Sequence, residues 1–367
     1  MSDRSVFARR REQAQRLMRE QGVSAMQVTS RENYFYLTGD PRNVARMFLP
    51  QSGDPVVIVF AEEVDEARER TGIEDVRGWR TPAELMGHFF SMAKAHEAAD
   101  KKIGFCVHAN PGFLVYKFIR SNPKATIVAN EDITMPMRYV KDPDELAAMR
   151  KAAATADKGM AAARDAIRPG ATEIEVAAEA EYVMRKAGTM RYGASTFVDA
   201  GPNSSHLHGG TTDRKIAKGD LVVVDLHPVV DMYSADLART FVCGGASPEQ
   251  AKLIELYSSV QSMVAGEVRP GWKVGAIAER MGALFAEKGH PEWIRGPTHG
   301  VGLEFEEWPH PSHFPAHLNL VMQSGWTLAM GHSILPVKGV GGVKIEDTVL
   351  VTEKGGESLN RFPHYGP

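Results

Sequence analysis

The first third of the chain alternates between helical and strand-like spacing of its apolar residues. Residues 3–22 place apolar side chains at helical intervals up to Gly22, namely Val6, Phe7, Ala14, Leu17 and Met18. Strand-like runs follow in SAMQVTS, NYFYLTG, VVIVF and KKIGFC, and helical patterns occur in TPAELMGHFFSMAKAHEAA and NPGFLVYKFIRS. This alternation predicts a small α/β domain over residues 1–135.

The pattern changes at a boundary segment that contains Pro136, which we expect to break regular structure, and the strong helix start DPDEL. Beyond it, helical patterns in DELAAMRKAAATADKGMAAARDAI and ATEIEVAAEAEYVMRKAG precede strand-like runs in ASTFVDAG, LVVVDLH and ADLARTFV. The order then recurs, with SPEQAKLIELYSSVQSMVAGEV and VGAIAERMGALFAEKG before HGVGLEF, TLAMGHSIL and KIEDTVLVT. No residue-level period accompanies this recurrence, so we interpret it as a repeat of architecture, with a helix pair followed by strands in each half.

Several acidic residues lie at the ends of strands in this second region. Asp225 ends the apolar run LVVVD, Asp236 precedes LARTFVCG, and Glu346 lies at the mouth of the strand in GVKIEDTVLV. A carboxylate at the end of a buried strand is costly unless a cation or hydrogen bonds satisfy it. His299 lies among the glycines of GPTHGVGLEFEEWP, which permit close backbone approach.

Each of these residues taken alone has an ordinary explanation. An aspartate at a strand end is commonly a turn former, a lone histidine is commonly hydrogen-bonded, and Glu346 beside Asp347 fits a solvated face. Together, three carboxylates and an imidazole form a ligand set suited to manganese, iron, cobalt or zinc. Since bridging carboxylates hold two metals about 3.5–4 Å apart, the set predicts a site for one or two divalent ions.

The glycine- and serine-rich segment GPNSSHLHGG contains His206 and His208. Loops of this kind commonly carry catalytic side chains on a rigid scaffold. These histidines are therefore candidates for contact with a substrate.

The composition narrows the range of partners and compartments. The chain has 367 residues, 43% of them hydrophobic and 24% charged, and a net charge of -3, which gives no electrostatic case for nucleic acid or an anionic membrane. The N-terminal segment lacks an apolar signal region, and no run approaches the ~18 apolar residues of a membrane span. Cys106 and Cys243 are too few for a disulfide framework or a cysteine zinc site. We expect a reduced, cytoplasmic protein.

The spacing of Asp225 and Asp236, with the segments THGVGLE, KIEDTVLVTEKG and RYVKDPDELAAMRKAA, resembles the pita-bread hydrolases. That family comprises methionine aminopeptidases, Xaa-Pro dipeptidases and aminopeptidases, and creatinase. The resemblance covers residues 139–367, and the first region is similar to the smaller N-terminal domain of the Xaa-Pro and creatinase branch. It implies an α+β pita-bread catalytic domain with pseudo-twofold halves, and a homodimer.

The resemblance also implies roles for individual residues. Asp225 would be the aspartate of the first metal, Asp236 and Glu346 would bridge two metals, and His299 would be the metal-bound histidine. His208 would match a substrate-side histidine that stabilises charge developing on the attacked group.

Two positions depart from the family pattern. The family has a second histidine seven residues past the metal-bound one, in a His-Glu pair, and here Glu306 occupies that position, followed by Glu307. A glutamate that serves the family as ligand and general base is replaced by Gly331, with His332 next to it. We expect His332 either to supply the missing ligand or to pack against a neighbouring tryptophan, and Glu306 or Glu307 to act as acid or base. Losing a carboxylate ligand should weaken binding of a second metal.

These features predict a metal-dependent hydrolase that cleaves a C–N bond of a small carboxylate-bearing substrate, with an Xaa-Pro dipeptide as the default. The departures from the pattern favour an alternative, which is a creatinase-like non-peptide hydrolase or a metal-dependent lyase acting on a small molecule. A third hypothesis is a catalytically inactive pita-bread domain that serves as a binding module. The retained ligands disfavour that hypothesis.

Overall fold

The structure is a computed structural model that describes residues 4–95, 101–107, 112–206, 209–293, 296 and 298–364. The chain divides into two compact units, Met1–Arg138 and Tyr139–Pro367. Among the described residues, no helix has both the length and the apolar character needed to cross a membrane.

The N-terminal unit alternates helices and strands, as its apolar pattern predicts. Its helices are α1 (Arg4–Gln21), α2 (Arg31–Thr38), α3 (Val64–Thr71), α4 (Pro82–Ala95), α5 (Gly112–Ser121) and α6 (Glu131–Arg138). Its strands are β1 (Val23–Val28), β2 (Arg46–Pro50), β3 (Val56–Phe60), β4 (Val76–Trp79), β5 (Lys102–Phe105) and β6 (Thr126–Ala129). The strands form one mixed sheet in the order β4-β3-β2-β1-β5-β6. Buried apolar side chains on it, including Phe48, Ile58 and Ile103, form the core of this unit.

The segment NYFYLTG is helical and lies in α2, so its prediction as a strand is wrong. Ser30 caps the helix by accepting a hydrogen bond from the Asn33 backbone N–H at 3.2 Å. Gly39 ends it in the left-handed conformation, and Glu32 lies in the first turn, where it complements the helix dipole. These end signals outweigh the strand preference of the aromatic residues between them.

Pro136 lies inside α6 and does not break it. A proline in a helix removes one backbone hydrogen bond, here the one to the carbonyl of Asp132, four residues earlier. The buried side chains of Ile133, Met135 and Met137 anchor this short helix, so it continues to Arg138.

The C-terminal unit shows a helix pair followed by strands twice over. The first half contains α7 (Pro143–Ala166), α8 (Glu173–Lys186), β7 (Arg191–Tyr192), β8 (Phe197–Ala200), β9 (Leu221–Leu226), β10 (Pro228–Val230), β11 (Tyr233–Ser234) and β12 (Leu237–Val242). The second half contains α9 (Pro248–Glu267), α10 (Gly275–Glu287), β13 (Thr298–Gly300), β14 (Thr327–Met330), β15 (Leu335–Val337), β16 (Gly341–Val343), β17 (Asp347–Thr352) and β18 (Gly355–Ser358). This is the order that the apolar pattern predicts.

Reciprocal capping boxes fix where three of these helices begin. At α7 the Asp142 carboxylate accepts from the Glu145 backbone N–H, while the Glu145 carboxylate accepts from the Asp142 N–H, both at 2.9 Å. Thr172 caps α8 and Ser247 caps α9 in the same way. Each box satisfies two N–H groups that a helix start otherwise leaves unpaired.

The strands that carry the acidic residues form two adjoining sheets, β12-β9-β8 and β13-β14-β17-β18. In the first sheet Ala238 of β12 lies opposite Asp225 of β9. A backbone bridge between Ala238 and Glu346 joins the two sheets, with N–H to carbonyl distances of 3.0 and 3.1 Å. The bridge therefore places Glu346 beside the strand that pairs with Asp225.

The predicted strand in HGVGLEF is shorter than expected and ends at Gly300. The chain folds back because the Gly300 N–H donates to the carbonyls of Glu307 and Pro309, at 3.1 and 2.6 Å. A Cβ at Gly300 would lie 2.3 Å from the carbonyl oxygen of Trp308, so only glycine permits this close approach. The turn positions Glu306 beside His299.

Candidate metal centre

Asp236, His299 and Glu346 come together at the junction of the two sheets. His299 Nε2 lies 3.5 Å from Asp236 Oδ2 and 4.0 Å from Glu346 Oε1. One ligand atom from each of the three residues lies within 4.8 Å of the others. All three side chains are buried, with exposed fractions of 1%, 1% and 0%. The structure thus brings together three of the residues that the sequence pattern selects.

The donor set fits a divalent metal. Neither His299 Nε2 nor Glu346 Oε1 has a hydrogen-bond partner among the described residues, although both atoms are buried. A buried polar atom without a partner is costly, and a cation between these atoms would remove that cost. His299 Nδ1 lies 2.9 Å from the Gly300 carbonyl oxygen. A proton on Nδ1 makes that hydrogen bond and leaves the Nε2 lone pair facing the carboxylates, which is the usual arrangement of a histidine ligand.

The electrostatics of the three residues agree with this assignment. Burial and the neighbouring His332 lower the pKa of His299 to about 4, so the imidazole is neutral, as metal binding requires. Burial and the adjacent Glu346 carboxylate raise the pKa of Asp236 well above its ordinary value. Two buried carboxylates that repel one another are stabilised as a pair when a cation lies between them.

Asp225 lies in the same group but is held by two basic side chains that the sequence analysis did not select. Its Oδ2 is 2.6 Å from Lys344 Nζ, and its Oδ1 is 3.2 Å from His227 Nε2. Burial would raise the pKa of Asp225, but Lys344 and His227 outweigh it and hold that pKa far below its usual range. Burial likewise disfavours a charged His227, yet Asp225 and Asp236 raise the pKa of His227 to about 9.

His332 faces the centre, whereas Gly331 beside it leaves no room for a side chain. His332 Nδ1 lies 3.4 Å from Glu346 Oε1, and its ring packs edge-on against His299 with 4.8 Å between ring centroids. Gly331 has a φ of 109°, and a Cβ there would lie 1.9 Å from the Ile345 carbonyl oxygen. A glutamate at position 331 would therefore need a different backbone.

Glu306 lies between the centre and a cavity of about 300 Å³. Its carboxylate is 3.3 Å from His310 Nε2 and 3.9 Å from His332 Nε2. Burial would raise its pKa, but the hydrogen bond with His310 and the surrounding imidazoles lower the pKa of Glu306 to about 2. Phe197 and Phe305 supply apolar surface to the same cavity.

Glu307 points elsewhere and forms a buried ion pair with Lys141, with 2.8 Å between Oε1 and Nζ. Both side chains are at most 2% exposed. This pair occupies the Glu307 carboxylate, so of the two adjacent glutamates Glu306 has the better placement for chemistry.

His208 lies outside the described residues, and Glu173 contacts the chain before and after it in the sequence. Glu173, the first residue of α8, accepts hydrogen bonds from the Ala200 N–H at 2.7 Å and from the Thr212 N–H and hydroxyl at 2.9 and 2.6 Å. The Glu173 carboxylate thus links Ala200 and Thr212, which lie before and after His206 and His208 in the sequence. His206 is exposed.

The comparisons with known proteins agree with this architecture. Residues 147–353 match metallopeptidase family M24, and residues 10–140 match the creatinase/prolidase N-terminal domain. The chain is 29% identical to an Xaa-Pro dipeptidase of Pyrococcus horikoshii over 350 residues, which are 94% of each protein.

Solved structures of related proteins have the same fold. A prolidase from Pyrococcus horikoshii OT3 superposes with a TM-score of 0.85 at 26% identity, covering 97% of this chain and 99% of that one. A dipeptidase from Mycobacterium ulcerans superposes with a TM-score of 0.84 at 27% identity, covering 99% and 97%. The expected pita-bread fold is confirmed, and the chain belongs to metallopeptidase family M24.

Proposed function

We propose that this protein is a metal-dependent hydrolase that cleaves the peptide bond of a small Xaa-Pro-like dipeptide. The observation that carries the proposal is the buried group of Asp236, His299 and Glu346, which has ligand atoms without hydrogen-bond partners among the residues that the structure describes. Relatives that match almost the whole chain bear the names Xaa-Pro dipeptidase and prolidase. Carboxylate and imidazole ligands suit manganese, iron, cobalt or zinc.

When bound, such an ion lowers the pKa of a water molecule and polarises the scissile carbonyl. Glu306 is the residue we assign to proton transfer. Its contact with His310 directs the carboxylate between the centre and the cavity. A carboxylate in that position can accept a proton from the attacking water. Following the family resemblance, we assign His208 to stabilising the charge that develops on the attacked carbonyl.

The cavity beside Glu306 supports a small substrate. Its volume of about 300 Å³ is at the lower end for ligand sites, and it combines apolar walls with imidazoles. Phe197 and Phe305 suit an apolar ring such as that of proline, while His310 and His313 offer hydrogen bonds to a carboxylate.

A second candidate function is hydrolysis or elimination at a non-peptide C–N bond of a small molecule. It is favoured by Glu306 and Gly331, because the cavity carries a carboxylate where the family has a histidine, and the family's own glutamate is lost. Manganese as the metal, homodimerisation and a cytoplasmic location stay predictions.

The test is turnover of a substrate panel by metal-stripped and manganese-loaded protein. Hydrolysis of Xaa-Pro dipeptides that requires added metal and stops with a chelator is the expected result. Metal-dependent turnover of creatine or small amides without dipeptide cleavage would select the second function. No turnover by the metal-loaded protein would favour a binding module.

A further inference from the structure

We propose that the Lys344 ammonium occupies the position of one of two metal ions, so that the centre binds a single divalent ion. The inference rests on the proposed function in taking this group of residues as a metal centre. It goes further by assigning the number of ions and the residues that hold the one remaining.

Lys344 is built into the centre as a fixed cation. Its Nζ lies 2.6 Å from Asp225 Oδ2 and 2.8 Å from Glu346 Oε2, and its side chain is 3% exposed. The Thr240 hydroxyl holds its backbone on both sides, accepting from the Lys344 N–H and donating to its carbonyl, each at 2.8 Å. An ammonium between two carboxylates makes the contacts that a bridging metal would otherwise make.

The other oxygen of Asp225, Oδ1, also lies near a nitrogen atom. His227 Nε2 lies 3.2 Å from Asp225 Oδ1 and 3.5 Å from Asp236 Oδ1. Both oxygens of Asp225 therefore lie near nitrogen atoms of this chain, and a metal ion between Asp225 and Glu346 would have to displace the Lys344 ammonium. Displacing a buried lysine would leave its charge uncompensated, which is strongly unfavourable.

The remaining ligand atoms have the spacing of one metal site. His299 Nε2 to Asp236 Oδ2 is 3.5 Å, and His332 Nδ1 to Glu346 Oε1 is 3.4 Å. Atoms bound at about 2.1 Å to a tetrahedral ion are roughly 3.4 Å apart. Asp236, His299 and Glu346 thus provide three ligands for one ion, with ligand atoms within 4.8 Å of one another, and His332 lies next to Glu346.

The experiment measures metal per chain after loading the full-length protein with excess Mn²⁺ and removing unbound metal. Wild type should retain one ion and give the electron paramagnetic resonance spectrum of an isolated Mn²⁺. Lys344→Met, which removes the ammonium but keeps most of the side-chain volume, should gain a second ion and show exchange coupling, because two ions in such sites lie about 3.5–4 Å apart. Lys354→Met, at an exposed lysine, is the control and should match wild type.

A second variant keeps the test valid if Lys344→Met does not fold. Asp225→Asn should still bind one ion, because Asp225 contacts Lys344 and His227 and not the metal, whereas Asp236→Asn should lose it. Two coupled ions in wild type, or loss of the ion from Asp225→Asn, would overturn the inference and leave metal-dependent hydrolysis intact. Conversely, one ion per chain without dipeptide hydrolysis would refute the proposed function alone.

Discussion

Glu306 is an acidic side chain that lies beside the candidate metal centre and lines the cavity. Its carboxylate contacts His310 and His332, which belong to different loops, and it lines the cavity directly. In our account it replaces a histidine of the family pattern and transfers the proton of the attacking water. The residue is not among the ligands that we assign to the metal.

We predict that Glu306→Gln lowers kcat by about 100-fold or more, the usual scale for a lost general base, while metal content stays unchanged. Glu353→Gln, at an exposed glutamate, serves as the control. Steady-state kinetics with metal analysis of both variants check the prediction. Loss of metal from Glu306→Gln would instead identify Glu306 as a ligand.

Asp199 on β8 gives a prediction about how the stability of the protein depends on pH. Burial, with the Glu173 and Asp225 carboxylates, raises the pKa of Asp199 from 3.8 to about 7. The unfolded chain therefore releases this proton at lower pH than the folded protein, so the contribution of Asp199 to stability falls as pH rises from about 4 to 7. Because Asp199→Asn has no carboxyl group to ionise, its stability does not fall in this way as pH rises.

Relative to wild type, Asp199→Asn should gain about 2–3 kcal/mol of stability between pH 5 and pH 8. Thermal unfolding of metal-free protein at both pH values checks this gain, with the exposed Asp213→Asn as the control. An equal difference from wild type at pH 5 and pH 8 would show that Asp199 ionises normally in the folded protein.

The buried pair of Lys141 and Glu307 gives a prediction about stability. Lys141→Met leaves the Glu307 carboxylate buried without its cation, which typically costs about 3–5 kcal/mol. Lys151→Met breaks an ion pair with Asp231 of similar length, 2.7 Å, but both partners are more than half exposed, so the effect should be small. Chemical denaturation of the two variants should separate them clearly. Equal effects would mean that solvent reaches the Lys141 pair.

The residues that sequence reasoning missed at the site were detectable in principle. His227 follows Asp225 by two positions and Lys344 precedes Glu346 by two, and side chains two apart in extended backbone share a face. What the sequence does not specify is the register that brings those two faces together. That register depends on the bridge between Ala238 and Glu346, which joins residues far apart in the chain.

At the scale of elements, the Glu173 carboxylate of α8 accepts hydrogen bonds from Ala200 and Thr212, which lie before and after His208 in the sequence. We predict that Glu173→Gln weakens the hydrogen bonds to Ala200 and Thr212, destabilises the protein by about 2 kcal/mol and lowers kcat, with metal content unchanged. Glu175→Gln on the same helix removes only an exposed capping interaction and is the matched control. Unchanged kinetics in Glu173→Gln would mean that this segment does not position a catalytic group.

Helices were easier to predict from this sequence than strands. The starts of α7, α8 and α9 are encoded by capping residues within four positions of one another, so local sequence is sufficient. Strands such as β7 and β11 have two residues each, too few for a period to appear. β10 pairs with β7 from more than 30 positions away, whereas β10 and β11 form a tight hairpin.

At the scale of the whole molecule, every ligand that we assign to the metal lies between residues 236 and 346, within the C-terminal unit. Binding should therefore stabilise that unit, by about 2.7 kcal/mol when free metal is 100 times the dissociation constant. We predict that hydrogen exchange slows in β9, β12, β14 and β17 on adding Mn²⁺, while the sheet of the N-terminal unit is unaffected. Uniform protection of both units would contradict a metal site confined to one.

The two-domain architecture and the family were predictable because motifs near Asp225, His299 and Glu346 are spaced as in the pita-bread hydrolases. The departures from the family pattern at Gly331 and Glu306 are visible in the sequence, but their effect on the arrangement of the site is not. Only the packed structure shows that Ile345 excludes a side chain at position 331 and that His332 faces the centre.

The most direct test of metal-dependent hydrolysis at this centre is a titration of metal-stripped protein with Mn²⁺ while Xaa-Pro dipeptide cleavage is recorded. Our account predicts no turnover without metal, a linear rise with added ion, and saturation at one equivalent per chain. Full turnover by the stripped protein, or none at any metal concentration, would contradict it.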